Sequence, residues 1–140
     1  MSAWILFALL SATFAALVAI FGKIGIQNLD STLATTVRAV IMAAFLVAVS
    51  LLLGKAKLLS TIDNKALAFI ALSGIAGATS WLFYFLALKH GPASGVAALD
   101  RLSVVFVLVL AVLFLSESLT WKSGLGAVLL TMGAILMSIK

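Results

Sequence analysis

Apolar runs of 20 to 23 residues alternate with short polar breaks along nearly the whole chain. The runs cover residues 3–23, 31–53, 66–88, 93–115 and 120–139. A helix rises about 1.5 Å per residue, so each run is long enough to cross a hydrocarbon layer of about 30 Å. The pattern predicts an all-α membrane protein of five transmembrane helices, a single domain over 1–140. Its loops are too short to hold a soluble catalytic or receptor domain. No basic residue precedes the first run, which is longer than the roughly 7–15 apolar residues of a secretion signal, so a retained helix is expected.

Local signals set the helix ends. Asp30-Ser31-Thr32 offers side-chain oxygens to the free amides of the second helix, Gly54 ends that helix, Asp63-Asn64 starts the third, and Thr120 caps the fifth. Lys89-His90-Gly91-Pro92 reads as a tight turn. Ser73, Gly77, Ser80 and Tyr84 share one helical face, and Gly126 and Gly133 share another with Ala127 and Ala134 beside them. Small residues let helices approach closely, so the Gly126–Gly133 face is expected to pack against another helix or subunit. Trp4, Trp81 and Trp121 fall toward helix ends, as an aromatic belt would.

Composition narrows the functional classes. Of 140 residues, 65% are apolar and 9% charged, against about 25% charged in a soluble domain. The nine basic residues are scattered between the runs with no basic stripe, so the net charge of +5 fits membrane loops and not nucleic acid. There is no cysteine, and the single histidine, His90, lies beside the Gly91-Pro92 turn. No thiolate chemistry, metal or cofactor is expected. Nothing resembles a nucleophile–base set or a phosphate-cradling loop, so no enzyme is expected. Lys and Arg leave the orientation nearly undecided. With the N-terminus inside, Lys55, Lys57, Lys65 and Lys122 face Lys23, Lys89 and Lys140 outside, and Arg38 and Arg101 tip the balance the other way. Such a weak bias with an odd helix count suits a chain that inserts both ways and pairs antiparallel, reproducing the inverted-repeat plan of larger transporters.

The charges inside the runs are the candidate chemistry, since each costs about 2.5–3.5 kcal/mol at a helix centre. Asp100 is the only carboxylate well inside a run, and Arg101 follows it. Asp100 is suited to binding a cation or carrying a coupling proton, with Arg38 or Arg101 tuning it. Alternatively, a substrate carboxylate sits on Arg38 or Arg101. The bland reading is that Asp100 and Arg101 lie near a helix end or neutralise a neighbour. Consecutive residues are about 100° apart around a helix, so the two do not point at one spot. Asp100 shares its face with Val96, Ser103 and Val107. Arg38, about two turns into the second run, either snorkels to the interface or faces a polar cavity. Trp81 and Tyr84 are either interfacial anchors or aromatic walls of a site. The candidate substrate-binding set is Arg38, Trp81, Tyr84, Asp100, Arg101 and Ser103.

The second half resembles the EamA domain, the repeat unit of the drug/metabolite transporter superfamily. The resemblance rests on Leu86-Ala87-Leu88-Lys89-His90-Gly91-Pro92-Ala93-Ser94, then Ser116-Glu117-Ser118-Leu119-Thr120-Trp121, then Gly124, Gly126 and Gly133. Trp4, Lys23 and Arg38 sit where such domains place similar residues, which extends the likeness over essentially the whole chain. It implies transport of small solutes. Most members are similar to two such domains in one chain, ten helices in inverted halves, whereas this chain resembles one domain alone. That implies pairing with itself or with a similar short paralogue. Glu117 matches the family's turn carboxylate, and a structural role is expected, at the dipole of the last helix and near Lys122. Similar domains commonly have a proline about where Ser103 stands. Here Asp100-Arg101-Leu102-Ser103 replaces an uncharged stretch and marks a different or charged substrate.

The expected function is a transporter subunit for a small polar or amphipathic metabolite, a multi-pass protein of the cytoplasmic (inner) membrane of a prokaryote, in contact with the lipid bilayer. A small multidrug-resistance-like cation exporter is the alternative, although those proteins carry a glutamate in the first helix and the run 3–22 has no acid. A non-transporting membrane partner is the third reading.

Overall fold

The computed structural model describes residues 3–139, so Lys140, counted in the charge balance above, lies outside them. The elements are α1 (Ala3–Gly25), α2 (Ser31–Leu52), a 3₁₀ helix η1 (Lys55–Thr61), α3 (Asn64–His90), α4 (Ala93–Asp100), α5 (Ser103–Leu115) and α6 (Trp121–Ser138). There are five candidate membrane spans among the described residues, with α4 and α5 together making the fourth, Ala93–Leu115. Packing groups the residues into two compact units. One takes in α1 up to Lys23 and the chain from His90 onward; the other is 24–89.

Capping explains several boundaries. The Leu33 amide donates to Asp30 Oδ1 at 2.9 Å, which starts α2. Gly54, at φ 66°, takes the left-handed conformation that closes it. The Ala66 amide donates to Asp63 Oδ1 at 2.9 Å at the head of α3. Thr120 and Ser123 form a reciprocal capping box on α6. Two boundaries differ from the sequence reading. The polar segment after Gly54 is wound into η1. Lys89 and His90 complete α3 instead of opening a turn, and the turn is Gly91-Pro92 alone.

The largest departure is in the fourth run, which is not one continuous helix. It is interrupted at Arg101-Leu102, with no proline or glycine there. Through the interruption the amides donate three residues back: Arg101 to Ala98, Leu102 to Leu99, Val104 to Arg101, Val105 to Leu102. This is 3₁₀ geometry, and a short 3₁₀ stretch inside a helix marks a hinge or strain.

Within the unit holding α4, α5 and α6, α4 packs on α6. Gly95 is buried there, and a Cβ on it would lie 3.4 Å from Pro92 Cγ and 3.5 Å from the Met137 carbonyl oxygen. The close approach is therefore at Gly95. Added Cβ atoms on Gly126 and Gly133 would meet nothing within 4 Å; on that helix only Ala134 is buried. Gly77 is equally open, and Ser73 and Ser80 are exposed. Few side chains are buried among the described residues: the apolar ones are Ala19, Ile26, Phe85, Leu88 and Ala134. Long apolar side chains such as Phe83 and Phe114 are largely exposed, as spans bathed in lipid or covered by a second chain require.

Candidate functional site

Two groups of polar side chains stand out, one in each unit. In the unit 24–89, Ser31, Thr35 and Arg38 fall on one face of α2. Ser31 and Thr35 are buried and Arg38 half-buried. The Thr35 hydroxyl is satisfied within the helix, donating to the Ser31 carbonyl at 2.7 Å. Arg38 ends this polar stripe seven residues past Ser31, about 10 Å along the helix axis.

Its guanidinium meets α3. The Arg38 Cζ lies 3.5 Å from the centre of the Trp81 ring and 5.2 Å from that of Phe85. Trp81 and Phe85 are four residues apart and so share a helical face. Phe85 is buried and meets the Tyr84 ring edge-on at 6.1 Å and 61°. Arg38 thus lies against aromatic rings of α3. Trp81, nine residues before the end of α3 and about 13 Å in along the axis, is a wall for that cation and not an anchor at the helix end. Arg38 Nη1 is buried and has no hydrogen-bond acceptor among the described residues. The sequence reading chose Arg38, Trp81 and Tyr84 but passed over Phe85, Ser31 and Thr35. The i, i+4 step from Trp81 and the i, i+4, i+7 stripe ending at Arg38 were the available signals.

In the other unit, the interrupted span gathers Asp100, Arg101 and Ser103. Asp100 is the last residue of α4, Arg101 lies in the interruption, and Ser103 begins α5; all three are exposed. The break changes what the backbone offers. In a continuous α-helix the Val104 amide would go to the Asp100 carbonyl and the Arg101 amide to that of Ala97. Here they go to Arg101 and Ala98. The Asp100 and Ala97 carbonyls are thereby freed of their α-helical donors beside the Asp100 carboxylate, at the negative end of the α4 dipole. Carbonyls without their α-helical donors and a carboxylate are the donor set of a cation or proton site, while Arg101 brings a positive charge within the same turn.

Glu117 lies at the α5–α6 turn, where Ser116 takes a left-handed conformation at φ 54°. With Ala111, Thr120 and Ser123 it lines a shallow cavity of about 260 Å³.

Comparison with known proteins agrees with this architecture. The model of the EamA-like transporter family matches residues 2–139. An uncharacterized transporter in the cobO 3′ region of Sinorhizobium sp. is 43% identical over 136 residues, covering 97% of this chain and 96% of that protein. An uncharacterized protein of Methanocaldococcus jannaschii is 35% identical over 77 residues, 55% of this chain and 56% of its own length. No solved structure matches the chain. Five apolar spans, charged residues within them and a family match over essentially the full length lead to one conclusion: the chain belongs to the EamA-like transporter family.

Proposed function

We propose that this multi-pass membrane protein is half of a secondary transporter that moves a small polar or amphipathic metabolite across the cytoplasmic membrane of a prokaryote. Two copies pair antiparallel, or one copy pairs with a similar short paralogue. The observation that carries this reading is the interrupted fourth span, with Asp100 and Arg101 exposed on an otherwise apolar segment. Charges held at that depth are unfavourable against lipid and find partners in a protein interface or a solute path. Larger transporters build their sites from interrupted helices at the junction of inverted halves. The exposed faces with Ser73, Gly77 and Ser80 and with Gly126 leave room for a second chain. Substrate contacts are assigned to Arg38, Trp81, Tyr84, Asp100, Arg101 and Ser103.

Two measurements test this. Proteoliposomes incubated with a mixture of small polar metabolites, their contents read by mass spectrometry, accumulate at least one solute in a protein-dependent way; no accumulation removes the transport reading. For the pairing, the cysteine-free chain allows one clean label. Ser60→Cys, exposed in η1, is treated in intact cells with a membrane-impermeant thiol reagent. Reaction of about half the protein from outside supports insertion both ways. All-or-none reaction excludes the antiparallel self-pair and turns the search to an oppositely oriented partner.

A further inference from the structure

Among the described residues of the unit 24–89, Arg38 is a cation with no carboxylate beside it. Its flat face is taken up by the indole of Trp81 at 3.5 Å, with the Phe85 ring centre at 5.2 Å. Aromatic faces attract a guanidinium but accept none of its in-plane N–H groups in the way an oxygen does. Nη1 is correspondingly buried without an acceptor. The carboxylates of the unit 24–89 are Asp30 and Asp63, and each is engaged at a helix start, accepting the Leu33 and Ala66 amides at 2.9 Å. Asp30 precedes Arg38 by eight residues, about 12 Å along α2. Asp63 precedes Trp81, the ring that Arg38 covers, by 18 residues, about 27 Å along α3. No acid of this unit is therefore placed to neutralise the guanidinium. With one face on the indole, the in-plane N–H groups are the donors left for an acceptor, and Nη1 is the one shown without one. A planar, bidentate anion matches those donors. One guanidinium, with no second basic side chain on the stripe, suits a monoanion better than a phosphate dianion. The Trp81 and Phe85 rings beside it suit an apolar body.

We propose that Arg38, held by Trp81 and Phe85, docks the carboxylate of an amphipathic organic acid, so that the solute handled by this chain is an organic monoanion. The assignment rests on the transporter reading and narrows it to a substrate class.

Phenylacetate is the probe, with 2-phenylethanol and 2-phenylethylamine as neutral and cationic analogues of the same body. Trp4→Phe and Trp121→Phe, both at exposed positions, leave Trp81 as the reporting indole. Titration of the purified protein is expected to give a saturable change in Trp81 emission with phenylacetate, and binding of the two analogues about tenfold weaker or worse, the scale of one charge-assisted hydrogen bond. Arg38→Gln is expected to abolish the preference, while Arg38→Lys keeps the charge and retains a weakened one. Helical circular dichroism and elution volume check that each variant is folded. The proposal is overturned if phenylacetate does not bind, if the three probes bind alike, or if folded Arg38→Gln keeps the anion preference. Uptake in proteoliposomes separates this from the parent reading. Flux of a cationic solute without phenylacetate binding leaves a transporter and removes the anion site. Arg38-dependent binding without flux of any solute leaves the anion site and removes the transporter.

Discussion

Replacing Arg38 by methionine is expected to stabilise the protein while disabling it. The contact with Trp81 at 3.5 Å is worth about 1–2 kcal/mol in a partly desolvated site, and Phe85 at 5.2 Å adds about 0.5 kcal/mol. Against this stands a buried charged donor, Nη1, with no acceptor, which costs about 1–3 kcal/mol and more for a charged group. Methionine fills a similar length and keeps a sulfur–aromatic contact of about 0.3–1.5 kcal/mol without the desolvation penalty. The balance favours Arg38→Met by about 1 kcal/mol, or roughly 3 °C in Tm for a chain of this size. Thermal unfolding of the purified protein in detergent, with retained monodispersity as the readout, measures it. Stability gained at a functional position is the expected trade, and uptake in proteoliposomes should fall in the same variant. A Tm several degrees below that of the parent would refute the reasoning, because the guanidinium would then be a structural tie and not an unpaired charge held for a ligand.

Gly95→Leu places side-chain atoms where a Cβ already lies 3.4 Å from Pro92 Cγ and 3.5 Å from the Met137 carbonyl oxygen, so about 1–3 kcal/mol should be lost, whereas Gly126→Leu should be nearly neutral in detergent-solubilised single chains; equal melting temperatures would contradict the α4–α6 packing. Ser103→Pro falls at the first position of α5, where the missing amide matters little but the αR conformation of Leu102 is disfavoured before proline, and should cost about 1 kcal/mol less than Val107→Pro in the interior of that helix, as read by denaturation in detergent. Asp100→Asn should abolish uptake driven by a pH gradient in proteoliposomes while leaving elution and helicity unchanged; normal gradient-driven uptake removes the coupling role of that carboxylate.

Much of the architecture was already written in local features of the chain. Five spans follow from run length and apolarity, because a helix that crosses lipid satisfies its backbone within itself whatever surrounds it. Asp30, Gly54, Asp63 and Thr120 marked helix ends because capping involves only residues within a turn of one another. Trp81 and Arg38 were recognisable as unusual residues within apolar runs, but nothing in either run said that they meet. A span that is apolar all round gives little periodic contrast to say which side faces a neighbour, so the contact of Arg38, on α2, with Trp81 and Phe85, on α3, came only from the tertiary structure. The same holds for the close approach at Gly95, which the more conspicuous pair Gly126 and Gly133 does not make. The interruption at Arg101-Leu102 was hidden for a different reason. It uses neither proline nor glycine, and a few amides shifting their bonds by one residue leave no trace in hydropathy. Sequence determined that the chain spans the membrane and where its charges lie along each span. Tertiary structure decided that Arg38 meets Trp81 and Phe85 with Nη1 left without an acceptor among the described residues, because such contacts depend on distances between helices that a single run of residues does not contain.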